Sequence, residues 1–186
     1  MQTTTTTFSV ELLSEFVRYM EWADATVWRA VLAAESARKD KRLRELLVHL
    51  HMVQRLFLLV WRGEPIHVEL KSFSEIMDVA DLQLRALTYY PELRHFLEGL
   101  DAASLTRGIT MPFVPEYEKR LGKTFAVPTL AETIFQVHNH STYHRGQVNA
   151  RLREVGGEPP LVDFIGWIWF GRPAADWSTP TVGAAG

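Results

Sequence analysis

Along four long stretches of the chain, apolar residues recur every three or four positions, the spacing that gives an α-helix one buried face. The first runs from Ser9 to Ala34, with Leu12, Leu13, Phe16, Met20, Ala23, Val27 and Val31 in step. The second, Lys41 to Trp61, carries Leu43, Leu46, Leu47, Leu50, Val53, Leu56, Phe57 and Val60, and Gly63 followed by Pro65 supplies a stop signal. A third, from Phe73 to Leu100, lines up Ile76, Ala80, Leu84, Leu87, Leu93 and Leu97, with Ser72 and Glu75 as a capping box and Pro91 as a point of kinking or interruption. The fourth has the clearest start, a Thr129-x-x-Glu132 capping box, and runs to Val155, where Gly156-Gly157 and then Pro159-Pro160 end it.

Between Thr106 and Pro128 the rhythm breaks into short apolar runs, Ile109–Met111 and Phe125–Val127, separated by Pro112, Pro115 and Gly122, which reads as a small hairpin or an ordered loop. Leu161 to Phe170 offers a short terminal helix or turn. Four long helices with one irregular crossover predict an all-α fold, a four-helix bundle, whose core is able to hold a metal site built from facing helices. The domain is expected to span residues 8–172, with 1–7 and 173–186 as flexible ends that include the low-complexity stretches Thr3–Thr7 and Ser178–Gly186.

Composition narrows the chemistry. The chain has 186 residues, seven histidines and no cysteine, so disulfide scaffolds, thiolate-ligated metal clusters and cysteine nucleophiles are excluded. Lys plus Arg is 20 against Asp plus Glu 22, a formal charge of −2 that offers no general attraction to nucleic acid or an anionic membrane. The longest apolar run, Leu56–Trp61, is far short of a membrane span, and the N-terminus has no basic leader, so a cytoplasmic protein is expected. The basic stretch Arg38 to Arg44 is flanked by acidic residues and lacks interleaved aromatics, which marks a solvated face. No His-Glu-x-x-His, no Gly-x-Gly-x-x-Gly and no Walker-type loop occurs, which disfavours peptide hydrolysis and nucleotide binding.

The histidines then become the centre of interest. On a helix each residue advances about 100°, so His140 and His144 sit one turn apart on one face, the arrangement that brings two imidazoles onto one ion. His138 points the other way. Two imidazoles make a weak site, and a third ligand is expected from the second helix. His49 shares a side with Leu46, Val53 and Leu56, residues expected in the core, while His51 projects about 200° away, so the candidate ligands are His49, His140 and His144. His51 and His138 are expected to be partly exposed or paired with a carboxylate, and His67 and His95 to be loop or surface residues. Gln136 and Gln147 lie closer to the metal-facing side than Arg145 and are the candidates to support the ligands. Glu45, one turn before His49, is expected as an ion-pair partner on the helix surface, and Asp163 as a helix cap or a hydrogen-bond partner to a ligand imidazole. Of the six tryptophans, Trp167 and Trp169, with Phe170, are weighed between core packing, a substrate cleft and a dimer contact.

The segment His140-Ser-Thr-Tyr-His144-Arg-Gly-Gln147, followed by Leu152-Arg153, Gly156-Gly157, Pro159-Pro160 and Asp163-Phe164, resembles the C-terminal signature of the DinB (DNA-damage-inducible) family of proposed metalloenzymes. Tyr19-Met-Glu-Trp22-Ala23-Asp24 is similar to its first-helix pattern, with Asp24 for the usual Asn, and Val48-His49 with Val60-Trp61-Arg62-Gly63 to its second-helix pattern, with Gln54 where a glutamate is usual. The resemblance covers Phe8 to Trp169. It implies an up-up-down-down four-helix bundle, often a homodimer, that holds a divalent ion through His49, His140 and His144. Zinc or nickel is the expected metal, with iron or manganese as alternatives. Relatives in the wider superfamily include bacillithiol S-transferases and a mycothiol-dependent maleylpyruvate isomerase. A low-molecular-weight thiol cofactor and a small electrophilic substrate are the corresponding expectations here, with no catalytic residue assigned. The rivals are a metal-dependent hydrolase and a non-catalytic metal-binding protein of the stress response.

Overall fold

The computed structural model describes residues 8–75 and 78–179. Four long helices dominate: α1 (Val10–Ala33), α3 (Lys41–Arg62), α5 (Val79–Glu98) and α8 (Leu130–Glu154). Short helices fill the connections, with α2 (Glu35–Lys39) between α1 and α3, α4 (His67–Ser74) before α5, α6 (Ala102–Leu105) and α7 (Val114–Leu121) before α8, and α9 (Phe164–Trp169) after it. Among the described residues there is no strand, only one antiparallel bridge between Gly108 and Thr129, so the fold is all-α.

Side chains of the preceding residues start the long helices. Ser9 accepts from the Leu12 amide at 3.2 Å and Asp40 from the Leu43 amide at 2.7 Å, each satisfying a donor that the first helical turn leaves free. Thr129 and Glu132 form the full reciprocal capping box expected of them. Gly63 ends α3 in the left-handed conformation, and the Glu64 amide reaches back to the Leu59 carbonyl at 2.8 Å. Past α8, Gly156 at φ 83° lets the Gly157 amide bond the Leu152 carbonyl at 2.8 Å, so the double glycine closes the helix by a specific turn.

Two expected elements differ. The third stretch is two helices: α5 begins at Val79 with Asp78 capping the Ala80 amide at 2.6 Å, and Ser72 lies within α4, where Arg85 donates to its hydroxyl. Ile76 lies outside the described residues. Pro91 sits inside α5 without ending it, and Leu87, the residue whose carbonyl a proline at this position leaves without its helical partner, is exposed. The 106–128 connection forms helix α7 instead of a hairpin; Pro115 stands in its first turn and Gly122 at φ 63° closes it.

The four long helices pack in the cyclic order α1, α8, α3, α5. Cross-helix bonds give their directions. Asp40 and Arg151 meet at 2.7 Å, and Trp61 and Thr133 at 2.9 Å, so α3 and α8 are antiparallel. Trp28 meets His51 while Asp24 meets Gln54, which makes α1 antiparallel to α3. Tyr90 is near Gln54, and Phe96 stacks on Trp61, so α5 runs parallel to α3. The order is therefore up, down, down, up, not up-up-down-down: the connection through α2 is too short to carry the chain back along α1, so α3 starts at the end where α1 finishes and runs the opposite way, diagonally across the bundle.

Among the described residues the core has two large apolar halves and a smaller cluster of Tyr19, Trp22, Ala23 and Trp167 where α9 meets α1. One half gathers Leu13, Val17, Met20, Leu58, Trp61, Leu93, Ile134 and Val137; the other gathers Val27, Trp28, Val31, Leu43, Leu47, Leu82, Val148 and Leu152. Between the two halves lies a layer of buried polar groups, Asp24, His51, Gln54, Ser141 and Arg145. Residues 173–179, expected as part of a flexible end, are held by the pairing of Asp176 with Arg29, by the Pro173 carbonyl accepting from Trp167, and by Trp177, which packs against both apolar halves.

Candidate metal centre

α3 and α8 are the most closely packed helix pair, and at the level of the polar layer they bring three imidazoles together. His49 comes from α3 and His140 and His144 from α8; one ring nitrogen from each lies within 4.8 Å of the others. Ring centroids are 4.2 Å apart for His140 and His144, 4.5 Å for His49 and His144, and 5.2 Å for His49 and His140. No carboxylate belongs to the cluster.

Protonation state and hydrogen bonding prepare these rings as ligands. Burial, reinforced by the neighbouring His144 and His49 rings, pushes His140 down to about 4, so it is neutral at physiological pH. Loss of water against α8, together with His144, also pushes His49 below its ordinary value. His144 Nδ1 lies 2.8 Å from Gln147 Oε1; since an amide oxygen only accepts, the ring proton is on Nδ1 and the Nε2 lone pair is free. His140 Nδ1 is buried with no hydrogen-bond partner, a polar atom the protein leaves unsatisfied. Three convergent imidazoles with an unsatisfied nitrogen among them fit a nitrogen-ligated divalent ion.

The site sits at the edge of the helix pair, with His49 exposed and His140 and His144 half-buried. That corrects the placement of α3. The helical wheel turns His49 toward the core and leaves His51 partly exposed or paired with a carboxylate; instead His51 is 3% exposed and lies in the polar layer. Trp28 donates its indole N–H to His51 Nε2 at 2.9 Å, and His51 in turn donates through Nδ1 to Gln54 Oε1 at 2.8 Å. Burial pushes its pKa down, consistent with this neutral form. The most buried positions of α3 are Leu43, Leu47, Leu50, Gln54 and Leu58, and His51 belongs beside them.

The other candidates sort cleanly. Gln147 supports His144, whereas Gln136 is exposed. Arg145 points away from the cluster and pairs with Asp24 at 2.8 Å. His138 stands apart, among the Phe16, Tyr19 and Phe135 rings. His67 is exposed at the start of α4, and His95 is exposed beside Glu98. Glu45 pairs with Arg42 at 3.3 Å, and Lys39 with Glu35 at 2.5 Å, so the basic stretch is a solvated ion-paired face. Asp163 occupies the N-cap position of α9 but makes no side-chain capping bond. Trp167 is buried, while Trp169 and Phe170 are exposed. What sequence reasoning missed is the polar layer, whose legible signs were Asp24 on α1 and His51 and Gln54 on α3, polar residues set inside apolar helix faces.

An all-α chain with a surface cluster of three histidines belongs with helical proteins that carry a candidate three-histidine metal centre. A family model described as the DinB family matches residues 1–174, and the chain belongs to that family. No match appears among curated proteins or among solved structures. Among the described residues no helix is long and apolar enough to cross a membrane.

Proposed function

We propose that the protein is a divalent-metal-dependent enzyme in which His49, His140 and His144 hold the ion, with zinc or nickel favoured by an all-imidazole ligand set. The convergence of three imidazoles at the α3–α8 edge carries this reading. When bound, such an ion supplies Lewis acidity, lowering the pKa of a thiol or water that it meets. The protein's own groups prepare the site. Gln147 holds the His144 tautomer, and burial keeps His140 uncharged and able to ligate. Exposure of His49 leaves one side of the cluster open to a small molecule, as a reactive site requires and a closed structural site does not. Neutral ligands leave the ion its full charge, which favours an anionic partner such as a thiolate. The chain has no cysteine, so any reacting sulfur is brought by a low-molecular-weight thiol, and transfer of that thiol to a small electrophile is the favoured reaction.

Elemental analysis of untagged protein tests the site: one metal per chain is expected, lost in His140→Ala and His144→Ala and kept in His138→Ala. Retention in all three variants would sink the assignment. Thiol use is read from the cobalt(II) form, where glutathione or a bacterial analogue should add a near-ultraviolet charge-transfer band. A cobalt form whose spectrum no thiol changes moves the reading to hydrolysis, and one without exchangeable water moves it to a structural ion.

A further inference from the structure

Beneath the three imidazoles lies a sealed set of polar side chains to which the metal-centre reading gives no task. Asp24, His51, Gln54, Ser141 and Arg145 are each no more than 3% exposed, and Tyr90 is fully buried beside them. Their bonds run between helices. Gln54 Nε2 donates to Asp24 Oδ2 at 2.8 Å and to Ser141 Oγ at 3.0 Å. Arg145 Nη1 donates to Asp24 Oδ1 at 2.8 Å, and the Tyr90 hydroxyl donates to Asp24 Oδ2. Each of the four long helices contributes at least one member.

The placement of these residues relative to the histidines is regular. On α8, Ser141 and Arg145 each follow a candidate ligand directly, so they form a second row, one turn in spacing, about 100° around the helix from His140 and His144. On α3, Gln54 stands about 140° around the axis from His49. Each helix therefore shows one face to the cluster and an adjoining face to the network. A roll or slide of either helix that separated the imidazoles would also pull Ser141 and Arg145 from Gln54 and Asp24. Buried polar groups, and buried charges above all, resist losing their partners far more strongly than apolar side chains resist sliding.

Taking the three imidazoles as a metal centre, we propose that Gln54, Ser141 and the Asp24–Arg145 pair are its positioning residues. They fix the roll and register of α3 against α8 so that His49 meets His140 and His144. None of them touches the ion. The amide of Gln54 is the hub, because it accepts from His51 and donates to both Asp24 and Ser141.

Cobalt(II) titrated into metal-free protein, with a competing chelator and the d–d spectrum recorded, tests this. Ser141→Ala and Gln54→Met should each weaken cobalt binding about tenfold or more, the usual effect of removing groups that orient ligands, and should alter the spectrum. Thr133→Val is the control: it removes the acceptor of the Trp61 indole, another buried α3–α8 bond, one that lies outside the polar layer. It should lower thermal stability with no change in cobalt affinity or spectrum. A charge exchange supplies the rescue. Asp24→Asn strips Arg145 of its counter-charge, and Gln54→Glu sets two carboxylates side by side, so both weaken binding; the double variant restores one carboxylate and one amide and should recover most of the affinity. Wild-type affinity and spectrum in Ser141→Ala and Gln54→Met would overturn the positioning role, as would equal losses in Thr133→Val. Should Gln54→Met not fold, Ser141→Ala and the exchanged pair decide. A wild type that takes up no cobalt, or a His144→Ala that takes up as much, overturns the metal centre itself.

Discussion

Gln147 is the one residue whose role at the cluster is both local and visible in its bonding. By accepting the Nδ1 proton of His144 at 2.8 Å it decides which nitrogen of that ring is left to ligate. On the proposed metal-centre reading, Gln147→Leu should weaken zinc binding by roughly tenfold or more, measured by chelator competition, with little change in melting temperature because the side chain is only half-buried. Unaltered zinc affinity would mean that the tautomer needs no support. This bond was legible in the sequence, because three residues along a helix is a spacing at which side chains meet. The reading of His49 and His51 shows the limit of the same method. A helical wheel gives the angle between them but not the centre of the buried face. Leu46 and Leu56, used to locate the core, are 9% and 8% exposed and lie toward its edge, whereas Leu43 and Leu58 are 0% exposed.

Element ends were well marked in the sequence where a side chain or a glycine closes them, as at Thr129, Gly63 and Gly156. They were poorly marked where the short helices α2, α4 and α7 interrupt a connection, since α4 and α7 bury little: none of the α7 residues is buried, so no apolar rhythm betrays it. Asp40 illustrates how much one end can carry. It caps α3 through the Leu43 amide and pairs with both Arg151 Nε at 3.0 Å and Nη2 at 2.7 Å, tying the start of α3 to the end of α8. Asp40→Ala should cost about 1–2 kcal/mol at neutral pH, the worth of a good cap with its ion pair. Arg151 holds the Asp40 carboxyl below its ordinary 3.8, so its contribution is present above that value. The difference in urea midpoint between wild type and Asp40→Ala should therefore shrink as pH falls through and below 3.8. A gap that stays constant down to pH 2 would show that the carboxylate charge contributes nothing.

At the scale of the whole molecule, two apolar halves are divided by a polar layer, and Trp177 touches both. Its ring lies 5.8 Å from that of Tyr90, beneath a segment anchored by Asp176 and Pro173. Trp177→Ala should destabilise the fold by about 2–3 kcal/mol, less than for a wholly enclosed indole because it is partly exposed, and thermal unfolding should become broader if the halves lose their coupling. A melting curve identical to wild type would show that the tail is merely laid on the surface. A sequence rich in Thr, Pro and Ala after residue 172 carries no periodic signal, so this anchoring was not readable from the pattern.

α8 pairs with α1 and α3, supplies two of the three clustered imidazoles, completes the polar layer through Ser141 and Arg145, and reaches both apolar halves. It also follows the other three long helices in chain order. Until Leu130–Glu154 has been made, Asp24 lacks Arg145, Gln54 lacks Ser141 and His49 lacks both of its partner imidazoles. The polar layer and the histidine cluster are therefore completed together, and the interval before α8 arrives is the one in which the nascent protein depends most on being shielded from its neighbours.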